Sequence, residues 1–485
     1  LPKTYVDDVF STYLYKGTNN NQSINNGIDL AVEGGLVWIK GRAPTGWQHI
    51  LVDTERGATK VLNSNGTSGQ STATNTVPSF TSTGFVVGSD NQVAYSSETS
   101  GFASWTFRKQ PGFFDVVTYT GNGTAGRTVA HSLGSVPGMI MIKRTSQAED
   151  WIVGHRSIGL GTGRLLLNDN TGNSNGSATT YWNNTAATSS QFTVGSHVAV
   201  NGNGDTYVAY IFAHDDASFG TDGDESIIKC GSYAGNVTGA NLRVDVGFEP
   251  QFVLIKSSSI SSDWHILDAM RGAADDGNDQ ALLAANQASA ENSSGIRLFV
   301  TNEGFGTNQQ TGNNINAAGQ TYIYMAIRRP NKPPESATEV FAMDTQGGTS
   351  PTPPSFYSGF PVDLEFSRRI DDTSAAEFVT RLTGSNKYLT SHAAEAEWTA
   401  TRSYITLDRN DGLGGSTSVF SPRLAWMFKR APGFMDVVTF SGTGSNLAVN
   451  HNLDAIPELI LHKNRRSSAN WIVSTTPLYS SGKIL

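Results

Sequence analysis

The chain has 485 residues, which is too long for a single hydrophobic core and indicates about three to five domains. Only 16% of the residues are charged, against the ~25% usual for soluble domains, and the 51 glycines and many Asn, Ser and Thr residues favour turns and strands. The formal charge of −8, with no long basic run, argues against nucleic acid as a partner. No apolar stretch of ~18 residues is present, so no membrane span is expected.

Cys230 is the only cysteine of the sequence. An internal disulfide and a zinc cluster are therefore excluded. Its apolar neighbours Ile227 and Ile228 indicate a buried small side chain rather than a reactive thiol.

A long segment of the sequence occurs twice. PGFFDVVTY at residues 111–119 returns as PGFMDVVTF at residues 432–440, a shift of 321 (432 minus 111). The segment Trp151-Ile152-Val153 returns as Trp471-Ile472-Val473, a shift of 320 (471 minus 151). Repetition over such a period indicates an array of similar units.

In chain order, short β-branched and aromatic runs alternate with Gly, Asn and Ser clusters, a spacing typical of a sandwich or barrel. Central runs at residues 36–40, 139–143 and 252–256 are each followed by a tryptophan, Trp47, Trp151 or Trp264. These landmarks divide the chain into five modules: module 1 (1–110), module 2 (111–216), module 3 (217–331), the divergent module 4 (332–431) and the partial module 5 (432–485).

The continuous apolar runs predict central strands that are covered on both faces. The tryptophans at positions 47, 151, 264 and 471 are expected near strand starts, where they would anchor each module. Helix is predicted only in short pieces, at residues 281–290 and 393–398. Module 5 resembles half of module 2, and half a sandwich leaves unpaired edges, so the chain is expected to be a fragment of a longer one.

These patterns predict an all-β protein built as a tandem array of antiparallel jelly-roll β-sandwich modules, the last one truncated. The clearest motifs lie in module 3: GFEPQFVLIK at 247–256, DW at 263–264, DAMRG at 268–272, GF at 304–305 and the segment 316–324. This combination resembles a module of bacteriophage virion proteins, whose modules are similar to concanavalin-A-like (laminin-G-like) sandwiches. The opening TYVDDVFSTYLY at 4–15 resembles the start of fibre-like structural proteins of cyanophages.

The resemblance implies a non-enzymatic virion component, a tail or fibre-like appendage that presents loops for attachment to the host. It implies other tail or capsid proteins as partners, a host cell-surface glycan as a further partner, no membrane, and a homo-oligomer with a trimer as first choice. The location would be the particle surface. A lectin-like glycan-binding protein or a capsid decoration is the alternative, and a polysaccharide depolymerase is the third. The motifs are framework residues, so they identify no binding residue.

Few residues suggest chemistry, and we predict no catalytic residue, metal or cofactor. Asp53 with Arg56 recurs as Asp268 with Arg271, and a local ion pair that pins a turn explains this better than a sugar-binding pair. His131 and His451 are interpreted as turn histidines rather than metal ligands. An acidic segment is interpreted as a solvated linker rather than a Ca²⁺ site; it contains Asp215, Asp216, Asp222, Asp224 and Glu225.

A glycosidase would need two carboxylates about 5–10 Å apart across a cleft. Glu33, Asp53 and Glu55 form the only acidic cluster worth considering for this role, and modules 2 and 5 lack equivalents. No phosphate loop, nucleophile elbow or cysteine–histidine arrangement occurs in the sequence.

Overall fold

A computed structural model gives the fold of this chain. It describes residues 3–43, 46–97, 101–173, 178–236, 242–273, 281–292, 298–307, 315–346, 355–371, 373–384, 387–399, 405–414 and 422–476. Within these ranges, no helix has the length and apolar character needed to cross a membrane. Contacts divide the chain into unit 1 (Leu1–Asp268, Gln280–Leu298 and Gly304–Pro330) and unit 2 (Ala269–Asp279, Phe299–Glu303 and Asn331–Leu485). The module boundaries remain predictions from the sequence.

The protein is all-β, and its sheets are antiparallel. The strands of modules 1 and 2 are β1 (Phe10–Tyr15), β2 (Gln22–Asn25), β3 (Gly35–Gly41), β4 (Ile50–Asp53), β5 (Lys60–Val61), β6 (Ser71–Thr72), β7 (Ser79–Thr81), β8 (Gly84–Val87), β9 (Phe102–Arg108), β10 (Phe114–Thr120), β11 (Arg127–Ala130), β12 (Met139–Arg144), β13 (Ile152–His155), β14 (Leu165–Leu166), β15 (Gln191–Val194) and β16 (Thr206–Phe212). Those of module 3 are β17 (Ala217–Phe219), β18 (Glu225–Ser226), β19 (Ile228–Ala234), β20 (Leu242–Asp245), β21 (Pro250–Ser257), β22 (His265–Asp268), β23 (Leu283–Ala284), β24 (Leu298–Thr301), β25 (Gly304–Thr307) and β26 (Thr321–Arg328).

Modules 4 and 5 contain the remaining strands. These are β27 (Phe341–Gln346), β28 (Phe356–Tyr357), β29 (Leu364–Arg369), β30 (Glu377–Thr380), β31 (Lys387–Thr390), β32 (Trp398–Thr399), β33 (Gly412–Leu413), β34 (Arg423–Phe428), β35 (Leu459–His462) and β36 (Ile472–Thr475). Helices in the described ranges are short: α1 (Val6–Val9), α2 (Asn91–Ala94), α3 (Ala178–Trp182), α4 (Val198–Asn201), and 3-10 turns at Arg156–Ile158 and Ala337–Glu339.

The main sheets of modules 1 to 4 share one strand order. The orders are β1-β9-β3-β4, β10-β16-β12-β13-β14, β19-β26-β21-β22-β23 and β27-β34-β29-β30-β31-β32. In each, the last long strand of the module lies between the first strand and the central apolar run. The registers agree as well, since Phe10 pairs with Phe107 and Phe114 pairs with Phe212 at the start of the first strand.

A second, smaller sheet covers one face of the main sheet. In module 1 this sheet has the order β2-β8-β7, and Ile24 and Phe85 from it share one buried cluster with Val37, Ile39 and Phe102 of the main sheet. In module 4 the pair β28-β33 contributes to a buried cluster with β30 and β34 in the same way. Burial between two sheets is the defining feature of a β-sandwich.

The prediction that the apolar runs are covered on both faces is confirmed. Every residue of β3 and of β21 is buried. In β3, Val37 and Ile39 belong to the sandwich core, whereas Trp38 packs on the opposite face against Trp105, with ring centroids 6.0 Å apart. Successive residues of a strand point to opposite faces, so the second face must be covered by something outside the sandwich.

Two predictions of local structure are wrong. Residues 281–290 form no helix, because Leu283–Ala284 pairs with β22 instead, and the described part of 393–398 is irregular until the strand residue Trp398. Trp47 is also not the counterpart of Trp151 and Trp264. By register, His49 precedes β4 as Trp151 precedes β13, because Ile39 pairs with Ile50 and Ile142 pairs with Ile152.

Candidate functional site

The outer face of each main sheet in unit 1 contacts the next module through a buried lysine at the end of the central strand. Each ammonium donates a hydrogen bond to a backbone carbonyl: Lys40 to Ala288 (3.2 Å), Lys143 to Thr67 (2.9 Å) and Lys256 to Asn170 (3.0 Å). Module 1 thus reaches module 3, module 2 reaches module 1, and module 3 reaches module 2. Burial lowers the pKa of Lys143 and of Lys256 to about 8, although nearby carboxylates such as Glu149 and Asp263 favour the charged form.

The residues that directly precede β4, β13 and β22 are His49, Trp151 and Trp264, and their ring N–H groups follow the same cyclic pattern. Trp151 Nε1 donates to the carbonyl of Asn63 at 2.9 Å, and Trp264 Nε1 donates to that of Leu166 at 2.8 Å. His49 replaces tryptophan in module 1: its Nδ1 accepts from Trp38, so its Nε2 carries the proton and donates to Ala284 at 3.0 Å.

Asp53 and Arg56 form the predicted ion pair, with Arg56 Nε 2.6 Å from Asp53 Oδ2 and both side chains buried. The pair also joins two modules, because Tyr210 of module 2 donates its hydroxyl to Asp53 at 2.8 Å and accepts from Arg56 at 3.2 Å. Burial disfavours the Arg56 charge, but Tyr210 and Asp53 beside it raise the pKa of Arg56 above its ordinary value. Burial also raises the pKa of Tyr210 well above 10.0. The carboxylate is therefore fully engaged inside the protein.

Equivalent positions of the other modules complete this inner set of contacts. His155 of module 2 corresponds to Asp53; its Nδ1 accepts from the Ser157 amide, and its Nε2 donates to the carbonyl of Tyr324 in module 3 at 3.1 Å. Burial lowers the pKa of His155 to about 3, so the ring is neutral. Asp268 of module 3 in turn accepts from Trp105 of module 1 at 3.0 Å. The contacts thus run from module 1 to 2, from 2 to 3 and from 3 to 1.

Aromatic rings fill the centre of this three-module ring. Phe107 of module 1 lies 5.5 Å from Phe212 of module 2 and 6.2 Å from Phe252 of module 3, measured between ring centroids. All three rings are buried. Such edge-to-face clusters are stabilising beyond their buried area, so the three modules share one apolar centre.

Unit 2 repeats one of these contacts between modules, which we call joints. Trp471 Nε1 of module 5 donates to the carbonyl of Thr390 in module 4 at 2.8 Å, as Trp151 does to Asn63. Arg465 and Glu397 reinforce the same joint with an ion pair of 2.6 Å. Module 5 therefore lies against module 4 as module 2 lies against module 1.

A cleft of about 360 Å³ opens in module 2, and some of its lining residues lie at the end of the module, next to module 3. Arg156, His214, Asp215 and Asp216 line it together with apolar residues such as Leu160. All lining residues are described, and none is Phe, Tyr or Trp. The volume is at the lower end for small-ligand pockets, and the side chains can hydrogen-bond a small polar molecule.

The charged groups of the cleft are tied to module 3. Arg156 donates to the carbonyl of Cys230 at 3.5 Å, and His214 Nδ1 accepts from the amide of the same residue at 3.2 Å. Burial and the nearby Arg156 lower the pKa of His214. Asp215 pairs with Lys229 at 3.4 Å. The lining of the cleft therefore includes a neutral histidine, one cation and two carboxylates.

Among the described residues, no group of three His, Cys, Asp or Glu side chains that could hold a metal ion is found, in the acidic segment after the cleft or elsewhere. Asp222 and Asp224 are exposed in the turn between β17 and β18. Glu225 instead pairs with Arg328 at 2.7 Å.

The histidines and the remaining acids have local roles. His131 Nδ1 and His451 Nδ1 each accept from the amide two residues ahead, which stabilises a turn, and burial lowers the pKa of His131. Glu33 is exposed, and Glu55 pairs with Lys109 at 2.7 Å. Cys230 is buried as predicted, and burial raises the pKa of its thiol to about 12. The structure thus does not bring Glu33 and Asp53 to one cleft, since the Asp53 carboxylate is enclosed.

Sequence reasoning missed the residues that join the modules and those that line the cleft. The constant spacing between a lysine and a tryptophan, 8 residues from Lys143 to Trp151 and from Lys256 to Trp264, was the available signal. It marks a pair that lies on one face and donates to the neighbouring module.

Comparison with known proteins identifies a family without a described function. No curated protein matches the chain. A family model described as a domain of unknown function (DUF7483) matches residues 6–330 and 428–485, which include modules 1 to 3 and module 5 and leave out most of the divergent module 4. Because the matched residues make up most of the sequence, the chain belongs to the DUF7483 family.

Proposed function

We propose that this chain is a non-enzymatic structural protein of a phage particle, a tail or fibre-like appendage that presents loops for attachment to a host surface. The observation that carries the proposal is the use made of the recurring residues. The recurring lysines and the tryptophans that follow them donate hydrogen bonds from one module to the next. Recurring residues that hold neighbouring modules together are what a rigid scaffold needs, and loops on a rigid scaffold are where binding usually resides.

The composition of the surface supports the same role. The chain is rich in Asn, Thr and Gly and poor in charged residues, so its surface is polar without strong charge, which suits a protein that works by presenting loops. The proposal includes other tail or capsid proteins as partners, a host-surface glycan as a further partner, and a homotrimer as the oligomer. Repetition through oligomer symmetry would turn weak single contacts into strong attachment.

The experiment uses antibodies raised against the purified chain. Electron microscopy of cyanophage particles carrying the gene should show label on a tail or fibre, and the purified chain should reduce adsorption of the particles to their host cells. Label on the capsid would move the protein to a decoration role. Intact particles that lack the chain altogether would refute the structural role.

A glycan-binding function is the second candidate, favoured by the cleft with Arg156, Asp215 and Asp216. Such groups can hydrogen-bond sugar hydroxyls, although the lining includes no Phe, Tyr or Trp ring on which a sugar could stack. A glycan array probed with the chain and with an Arg156→Gln variant tests this candidate. Binding lost in the variant would support it, whereas release of reducing ends from host polysaccharide would indicate a depolymerase instead.

A further inference from the structure

Three hydrogen-bond donors line the cleft of module 2 and have unused capacity. The Arg156 guanidinium is exposed; among the described residues it has no carboxylate partner, and its one hydrogen bond is the long one to the Cys230 carbonyl, at 3.5 Å. The Oγ of Ser135 is enclosed and has no hydrogen-bond partner within the same ranges. His214 accepts at Nδ1 from the Cys230 amide, so its Nε2 carries the proton and can donate. One cation with two neutral donors is a set that binds an anion.

The two carboxylates of the cleft do not neutralise this arginine. Asp215 pairs instead with Lys229 of module 3, at 3.4 Å between Oδ2 and Nζ. The side chain of Asp216 lines the cleft without a hydrogen bond or ion pair to any residue that the structure describes. Because a carboxylate only accepts hydrogen bonds, this part of the lining suits the hydroxyl groups of a ligand.

The rest of the lining is apolar and consists of small or medium side chains: Val136, Pro137, Leu160, Ala186 and Ala187. Surface of this kind contacts the C–H groups of a ligand. The volume of about 360 Å³ is at the lower end for small-molecule sites. The cleft therefore suits a small unit that combines one anionic group, several hydroxyls and a C–H face.

We propose that this cleft binds a sugar unit that bears a carboxylate, a hexuronate within an acidic polysaccharide. The sugar carboxylate would accept hydrogen bonds from Arg156, Ser135 and His214, and a sugar hydroxyl would donate to Asp216. An arginine binds a carboxylate with two parallel hydrogen bonds, which provides specificity as well as affinity. The inference rests on the glycan-binding candidate for this cleft and adds the charge class of the glycan.

An acidic peptide is the other polymer that offers carboxylates, and it fits less well. Its several carboxylates would lie close to Asp215 and Asp216, which repel them. It would also bring few hydroxyl groups to the free carboxylate of Asp216. A polyuronate carries one carboxylate and two or more hydroxyls on each ring, so it satisfies both parts of the lining.

The test uses the whole chain and a panel of short oligosaccharides of galacturonate, glucuronate and mannuronate, each paired with its carboxyl-reduced, neutral form. Isothermal titration calorimetry measures the affinity of each member and of a triglutamate peptide. At least one uronate should bind saturably, and its neutral form should bind at least about tenfold more weakly, because it lacks the group that pairs with arginine.

Three variants of the chain locate the contacts. Arg156→Gln should weaken uronate binding at least about tenfold and leave binding of the neutral form unchanged. Asp216→Ala should weaken both forms by a similar factor, since both carry the hydroxyls. Arg127→Gln is the matched control, because Arg127 belongs to the same module, lies over the Tyr119 ring and does not line the cleft. Near-ultraviolet circular dichroism checks that each variant is folded.

The outcomes separate the inference from the glycan-binding candidate on which it rests. Equal affinity for the uronates and their neutral forms would overturn the acidic preference and leave the glycan-binding candidate standing. No binding by any sugar of the panel would overturn both. Triglutamate binding as strong as that of the uronates would make this a peptide site, and equal losses in Arg156→Gln and Arg127→Gln would place the carboxylate elsewhere. Either result would refute the proposal.

Discussion

Removing the hydroxyl of Tyr210 should weaken the joint between modules 1 and 2 without disturbing the packing around it. The hydroxyl donates to Asp53 at 2.8 Å and accepts from Arg56 at 3.2 Å, and the carboxylate and guanidinium are buried. A hydrogen bond to a charged group contributes about 1.5–3 kcal/mol, so Tyr210→Phe should lower the free energy of unfolding by about 3 kcal/mol. The ring remains to fill the space, so no cavity term is added.

Tyr119→Phe is the matched control. Tyr119 is also buried, but its hydroxyl donates only to the neutral carbonyl of Val200 within the same module, at 2.7 Å. A neutral hydrogen bond contributes about 1 kcal/mol, so this variant should lose about a third as much stability. The two losses are compared by urea unfolding, followed by tryptophan fluorescence at neutral pH.

A double-mutant cycle assigns the difference to the joint. In an Asp53→Asn background the charged partner is gone, so Tyr210→Phe should cost about 1–2 kcal/mol less than it does alone. Equal losses for Tyr210→Phe and Tyr119→Phe, together with a coupling energy near zero, would show that the contact between the modules contributes nothing and would refute this reasoning.

Three further predictions concern buried titratable groups. Burial lowers the pKa of His155 from 6.5 to about 3, so the unfolded chain takes up the proton first and unit 1 should lose stability as pH falls from about 6.5 to about 3. In thermal melts, His155→Gln should flatten this pH dependence, and a steeper dependence would contradict the prediction. Burial raises the pKa of Glu365 from 4.5 to about 8, so the folded state should lose stability as pH rises through this range. Glu365→Gln should therefore raise the melting temperature at pH 8 but not at pH 4, and equal shifts at both pH values would contradict the prediction. The thiol of Cys230, with its pKa raised to about 12, should resist iodoacetamide in the native chain and react after denaturation, and rapid labelling of the native chain would contradict its burial.

The sequence predicts the strands of this protein better than the contacts between its modules. Runs such as that of β3 are apolar throughout because both faces are covered, and that pattern is visible in the residues themselves. The joints are not visible, because the acceptors at Asn63, Leu166 and Ala284 are backbone carbonyls, which any residue provides. The role of His49 was missed because Trp47, two residues earlier, fits the tryptophan pattern. The structure instead places the His49 ring at the position that Trp151 and Trp264 occupy in the other modules.

The cleft could not be predicted from the sequence, for a different reason. Arg156 follows β13, whereas His214 and Asp215 follow β16, and only the sheet order brings these chain segments together. A run of acidic residues alone is more often solvated than binding, and the sequence contains no spacing that places an arginine opposite it. Sheet topology therefore had to be known before the cleft could be found.

The position of the last long strand in each main sheet also governs how the chain can fold during synthesis. Phe10 and Leu36 both pair with Phe107, so the first and central strands of module 1 cannot join into one sheet until the ribosome has released the end of β9. Contacts between residues so distant in the sequence make folding slow. Apolar strands stay open meanwhile, which exposes them to aggregation. Each module should therefore become protease-resistant in a single late step, as its final strand emerges.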